Sequence, residues 1–191
     1  MNQQIPYREV REAVEVLRRG GLILYPTDTI WGIGCDAGNY EAVQNIFKIK
    51  KREAGRSMLI LASDINMVER YVSDLPEIAI QLFEVTDTPL TVILPGSRNL
   101  SEGLMAEDGS IGIRIPDDPF CLEVLRRFRR PIVSTSANFS GDPSPQNFME
   151  INPGLIDKMD YVVQWRQDEM SQNIPSSIIK FYDNGTFEII R

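Results

Sequence analysis

A chain of 191 residues suits one domain at roughly 100 to 200 residues per domain, and 42% hydrophobic with 25% charged residues is ordinary globular composition, not disordered or fibrous. Twenty Lys and Arg against 27 Asp and Glu give a net charge of −7, which argues against a globally basic nucleic-acid binder but allows a local basic patch. There is no histidine, so Ser-His-Asp and Cys-His relays, imidazole acid-base catalysis and His-containing zinc sites are excluded.

Tyr7, Val10, Val14 and Leu17 recur at helical spacing and stop at Gly20-Gly21, which predicts an opening amphipathic helix. Leu22 to Tyr25 reads as a buried strand that empties into a turn-rich loop from Pro26 to Gly34. Cys35 follows; it and Cys121 are distant from each other with no CxxC, so both are expected as core thiols of a reduced protein. Ala42, Val43, Ile46 and Phe47 form a second helical stripe, ending in the basic cluster Lys48, Lys50, Lys51, Arg52 and Arg56. Met58 to Ala62 reads as a strand, Ser63-Asp64 as the cap of a helix through Tyr71, and Pro76 to Glu84 as another helix. Leu90 to Leu94 and Ile111 to Ile115 are strand-like, Pro119 to Phe128 is helical, and Pro131 to Ser134 is a strand before the polar run through Asn138. Tyr161 to Trp165 and Ser177 to Tyr182 look extended, and Asp183-Asn184-Gly185 before Thr186 to Ile190 predicts a hairpin with a type I′ turn. The alternation describes one mixed α/β domain with some antiparallel pairing. No apolar run reaches a membrane span and the polar start lacks a signal-peptide core, so a cytoplasmic protein with no membrane contact is expected.

Three polar segments follow predicted strands or helices, where open sheets hold ligands. Thr27 and Thr29 offer hydroxyls beside Gly32 and Gly34, although the same residues also suit a plain tight loop. Lys50 to Arg52, with Arg56, could clamp phosphate or could simply be a solvated helix end, where cations are favoured by about 0.3 to 1 kcal/mol. Ser134, Ser136 and Asn138, with Ser140 and Ser144, could bind a polyphosphate or sugar, or cap a turn. Arg114 is one charge inside an apolar strand, and a buried arginine needs a partner anion. No GxxxxGK[ST] loop and no third glycine after Gly32-x-Gly34 are present, so neither a P-loop nor a dinucleotide fingerprint is supported.

Together the segments resemble the YrdC family of threonylcarbamoyl-AMP synthases over nearly the whole chain. Pro26-Thr27-Asp28-Thr29 through Gly32-x-Gly34 is similar to its Pro-Thr-Glu-Thr-x-Tyr-Gly-x-Gly segment, with Asp28 where Glu is usual and Trp31 where Tyr or Phe is usual. Lys50-x-Arg52 and Ser136-x-Asn138 resemble its Lys-x-Arg and Ser-x-Asn motifs. Pro89-Leu90-Thr91, Arg114 before Ile115-Pro116, and Pro175-Ser176-Ser177-Ile178 follow in the family's order. The resemblance implies a single YrdC-like domain over 1–191, with a twisted mixed sheet and flanking helices around a concave basic cavity. It also implies an ATP-dependent nucleotidyltransferase joining L-threonine, bicarbonate and ATP into threonylcarbamoyl-AMP, with magnesium accompanying ATP. Lys50 and Arg52 are the implied catalytic residues, neutralising phosphate and carbamate charge. Thr27 would help hold threonine, and Ser136 and Asn138 would bind the triphosphate side. Ser110, Arg114, Ser134, Ser144 and Ser176 are implied nucleotide or threonine contacts, and no metal ligand is assigned; Asp28 is as readily an Asx turn as a residue near magnesium. The implied partner is a tRNA threonylcarbamoyltransferase complex. Two alternatives stay open: an RNA-binding module using the same cavity, and carbamoyl-adenylate chemistry on another acceptor.

Overall fold

The computed structural model describes residues 5–51, 58–170 and 175–191. In chain order the elements are α1 (Tyr7–Arg18), β1 (Ile23–Tyr25), β2 (Gly32–Asp36), α2 (Tyr40–Lys50), β3 (Leu59–Leu61), α3 (Ile65–Glu69), α4 (Glu77–Val85), β4 (Leu90–Leu94), β5 (Ile111–Arg114), α5 (Pro119–Phe128), β6 (Ile132–Ser136), a 3-10 turn (Phe148–Glu150), α6 (Pro153–Ile156), β7 (Tyr161–Val162), β8 (Ser177–Phe181) and β9 (Phe187–Ile189). The strands form one mixed sheet in the order β7-β1-β2-β6-β3-β5-β4-β8-β9. Parallel pairs join β1 to β7, β3 to β5 and β4 to β8, and the remaining neighbours are antiparallel.

Helix boundaries follow local chemistry. Asn39, Asp64 and Asp118 each cap the next helix by accepting a backbone N–H three residues on. Pro119 fills the first position of α5, where its missing N–H costs nothing. Buried Val10, Ala13, Val14 and Leu17 give α1 one apolar stripe, which packs on Phe120, Val124, Leu125 and Phe128 of α5. At about 1.5 to 3 kcal/mol for each fully buried large apolar side chain, that seam anchors both helices to the sheet through Ile23, Tyr25, Leu61 and Ile132.

Register explains where the site opens. Residues directly opposed across a ladder share a face, and one such row runs Ile23, Gly34, Ser134, Leu59, Gly112, Ile93. Parallel rows on that face hold Gly32 opposite Ser136, and Leu61 between Ile132 and Arg114. The opposite face carries Ile33, Cys35, Val133, Ile60, Ile113 and Val92 and is buried under α2 and the segments after it. On the first face α1 and α5 cover only one end, and the uncovered remainder, floored by glycines and hydroxyl residues, is the cleft.

The structure corrects three expectations. Gly32 and Gly34 do not belong to a loop: Gly32–Asp36 is a fully buried strand. A Cβ on Gly34 would stand 2.8 Å from Tyr25 Cε1 and 2.9 Å from Ile132 Cγ2, so glycine is there for close packing. The polar run after Ser134 is not all loop either, because β6 extends through Ser136 as the partner of β2. The β8–β9 turn has positive φ only at Gly185 (+79°), with Tyr182 N–H donating to the Thr186 carbonyl and Gly185 N–H to that of Tyr182. A type I′ turn needs two central residues with positive φ; this three-residue loop instead ends in a left-handed glycine. Arg52 and Arg56 lie outside the described residues. Cys35 and Cys121 are buried thiols. Among the described residues no helix is long and apolar enough to cross a membrane.

Candidate active site

The cleft has a volume of about 470 Å³. Its floor is Gly32, Leu59, Gly112 and Ser134, and its walls include Thr27, Thr29, Thr91, Arg114, Ser136, Ser144, Ser176 and Arg191. Residues from every third of the chain therefore converge on one surface.

The Pro26–Trp31 turn delivers a hydrogen-bond chain whose direction follows from counting protons. Thr27 Oγ1 donates to the Ile30 carbonyl at 2.7 Å, which uses its only proton, and accepts from Thr29 N–H at 3.0 Å. The 3.0 Å contact between the two hydroxyls must then be donated by Thr29, whose oxygen accepts Arg114 Nη1–H at 2.8 Å. The relay runs from Arg114 through Thr29 and Thr27 to a backbone carbonyl, and each bond polarises the next. Thr27 lines the cleft with its hydroxyl committed, so its methyl is what it presents. Arg114, buried at 4% exposure, also pairs with Asp28 at 3.3 Å.

Ser134 stands differently. Tyr25 Oη donates to Ser134 Oγ at 2.9 Å, and burial pushes the Tyr25 phenol well above its ordinary range, so it keeps its proton. The Ser134 proton is left to turn toward a ligand.

Across the cleft, α2 ends against the end of β6. Lys50, only 3% exposed, donates from Nζ to the Ser136 carbonyl at 2.6 Å and lies 3.4 Å from both Ser136 Oγ and Asn138 Oδ1. Ser136 Oγ donates to Asn138 Oδ1, and Asn138 Nδ2 holds the Phe139 and Asp142 carbonyls. Two motifs separated by 86 residues are thus one polar cluster. Ser136 lines the cleft, and Lys50 and Asn138 adjoin the cleft through it.

The other expected residues divide. Ser176 is buried, shares a 2.9 Å hydroxyl bond with Thr91, and borders the cleft, as does exposed Ser144. Ser110 does not border it: its hydroxyl and N–H both serve Asp108, which pairs with Lys180 at 2.6 Å. Arg52 falls outside the described residues. Sequence reasoning missed Arg191, whose Nε and Nη2 donate to the Ser176 carbonyl at 3.1 and 2.9 Å and which lines the cleft. The one available signal was the hairpin, which folds β9 back beside β8 and the Ser176 segment.

The Sua5/YciO/YrdC family model, described as "Telomere recombination", matches residues 15–191. The chain belongs to the Sua5/YciO/YrdC family. Among its Sua5/YciO/YrdC relatives, a protein of Stenotrophomonas maltophilia named threonylcarbamoyl-AMP synthase is 33% identical over 167 residues, 85% of this chain and 89% of its own length. One of Vibrio campbellii with the same name is 29% identical over 96% of this chain and 98% of its own length. The structure of P. abyssi Sua5 complexed with L-threonine superposes with a TM-score of 0.86 at 27% identity, over 94% of this chain. This chain spans 52% of that Sua5. The expected resemblance and the expected mixed α/β fold are both borne out.

Proposed function

We propose that the chain is a threonylcarbamoyl-AMP synthase that joins L-threonine, bicarbonate and ATP in this cleft, releasing pyrophosphate. The observation that carries the reading is the meeting of Lys50 with Ser136 and Asn138 beside a cleft holding Arg114 and Arg191, in a family whose relatives bear that enzyme's name. A cleft of this volume lies within the range of small-molecule sites.

The chemistry needs alignment more than a proton carrier, which suits a chain without histidine. The threonine amine adds to bicarbonate with loss of water, giving a carbamate. A carbamate oxygen then attacks the α-phosphorus of ATP and pyrophosphate leaves. Charge spreads over phosphoryl oxygens in the transition state, so fixed cations and hydroxyl donors supply the rate. Lys50 and Arg52 are assigned that neutralisation. Ser136 and Asn138 take the triphosphate side, and Arg114, Ser134, Ser144 and Ser176 hold threonine or nucleotide. Thr27 acts through the turn it fixes. Magnesium would arrive on phosphate oxygens, adding charge neutralisation there. The cleft lining fits that mode, offering hydroxyls and, among the described residues, no acidic side chain. The product is labile in water, so a tRNA threonylcarbamoyltransferase complex is the proposed recipient, in the cytoplasm where tRNA and ATP are found.

The test is pyrophosphate release by purified protein with ATP and magnesium, omitting threonine or bicarbonate in turn, with mass spectrometry of fresh product. Release requiring both, with a threonylcarbamoyl-adenylate mass, supports the reading. Release indifferent to threonine overturns it, and salt-sensitive RNA binding without turnover would replace it.

A further inference from the structure

Asp28 is the one acidic residue of the Pro26–Trp31 turn, and its carboxylate points at the back of Arg114. Its Oδ1 lies 3.3 Å from Arg114 Nη2, with both side chains 7% exposed or less. Its Oδ2 accepts the N–H of Asp117, in the turn directly after β5, at 3.2 Å. The loop carrying Asp28 is thus tied by charge to the side chain of Arg114, since Oδ1 makes no hydrogen bond among the described residues, and by a hydrogen bond to the backbone three residues beyond it. Arg114 Nη1 is taken by Thr29, and Arg114 Nε has no hydrogen-bond partner among the described residues. Arg114 borders the cleft, whereas Asp28 borders a second cavity of about 840 Å³ lined also by Pro116, Asp118 and Trp165. The ion pair therefore stands between the two spaces, with Nη1 of the guanidinium fixed by a hydrogen bond to Thr29 and Nη2 by the charge of Asp28 Oδ1.

We propose that Asp28 is a positioning residue: it sets the orientation and charge state of the site by holding Arg114, and touches no substrate itself. The inference rests on the synthase reading above. Without the carboxylate, a buried guanidinium would keep one hydroxyl partner and turn toward the larger cavity, away from reactants whose placement has to be accurate to about 1 Å. Burial raises the Asp28 carboxyl above its ordinary range despite the opposing pull of Arg114. The other groups around it are Asp117 and Asp118 from the β5–α5 turn, Tyr25 of β1, Cys121 and Arg126 of α5, Asp87 from the turn before β4, and Arg166 with Glu169, which pair with each other while Arg166 also pairs with Asp118. Protonation as the pH falls removes the pair, so the acid limb of activity lies above the usual carboxylate range.

The experiment compares wild type, Asp28→Asn, Asp28→Glu, Arg114→Lys and the double variant Asp28→Asn/Arg114→Lys by threonine- and bicarbonate-dependent pyrophosphate release across pH. Asp28→Asn is expected to lose about 10- to 100-fold in kcat/KM and to lose the acid limb, while Asp28→Glu keeps both. In the Arg114→Lys background Asp28→Asn should add little, because its target is already gone. Unchanged kcat/KM in Asp28→Asn, or losses that multiply independently with Arg114→Lys, overturn the proposal. If Asp28→Asn does not fold, Asp28→Ser against Asp28→Ser/Arg114→Lys carries the same test: coupled losses support the proposal and independent ones overturn it. Wild type inactive with threonine would sink the synthase reading instead. The NMR line of Arg114 Nε–H then still decides the positioning, sharp in wild type and broadened in Asp28→Asn if it holds, identical in both if it does not.

Discussion

Gly34→Ala and Gly32→Ala add the same methyl to one strand and one face, two residues apart, and should behave differently. At Gly34 the new Cβ would meet Tyr25 Cε1 at 2.8 Å, Ile132 Cγ2 at 2.9 Å and the Val133 carbonyl at 3.0 Å. One of those neighbours is backbone, and the other two belong to the seam under α1 and α5, so none yields cheaply. Overpacking of this kind costs about 1 to 3 kcal/mol, and the stiffer unfolded chain returns about 0.4 to 1 kcal/mol. A net loss of about 1 to 2 kcal/mol lowers Tm by about 2 to 8 °C in a chain of this size. At Gly32 the closest atom is Ser134 Oγ at 3.2 Å, one side-chain atom that has to give by only a few tenths of an ångström, followed by atoms at 3.6 Å. Its Tm should stay within about 2 °C of wild type, while the methyl occupies cleft floor and raises KM. Calorimetry with steady-state pyrophosphate release reads both. A Gly34→Ala protein as stable as Gly32→Ala would refute the packing account of β2.

Lys50→Ala should lower turnover by about 2 kcal/mol, roughly 30-fold; wild-type rates would remove it from the site. Arg191→Ala should raise KM for an anionic substrate with little change in Tm, and an unchanged KM would confine Arg191 to bracing Ser176. Thr91→Val and Ser176→Ala, which break the buried 2.9 Å hydroxyl pair, should each cost about 1 to 3 kcal/mol by thermal unfolding, and the double variant less than their sum; additive losses would refute the pairing. Lys180 and Ser110 pull the Asp108 carboxyl down to about 2. Because the folded-state value is depressed, the stability it adds is present above its unfolded value and is lost as pH falls from about 4 to about 2. Lys180→Met should flatten that part of the acid-unfolding curve, with only a small amplitude because the Asp108 side chain is half exposed; an unchanged curve would count against the pair.

The helices were legible because their signals are local. The stripe from Val10 to Leu17, the cap at Asp64 and the helical run that starts at Pro119 depend on neighbours a few residues away. Strand β2 was not legible, since Gly32 and Gly34 read as turn residues until Tyr25 and Ile132 are seen to occupy their missing side-chain space. The end of β6 was hidden for a related reason: Ser134 and Ser136 look like loop residues because the face they occupy is cleft rather than core. In the site, Lys50, Ser136 and Asn138 were nameable from motifs, and both Asp28 and Arg114 stood out as oddities. That the first three form one cluster and the last two one ion pair is long-range information, fixed only when 85 or more residues of intervening chain have folded.

The strand order has a kinetic consequence. Gly32–Asp36 pairs with Ile132–Ser136, and Ile23–Leu24 with Tyr161–Val162, so early strands wait for late ones. On a ribosome adding about 5 to 20 residues per second, the edge of the β1–β2 hairpin stands unpaired for about 5 to 20 s before β6 emerges. High separation between pairing segments also slows refolding of the released chain. The cleft draws its lining from Thr27 through Arg191, so catalytic competence marks the end of folding rather than an early, independently assembled part.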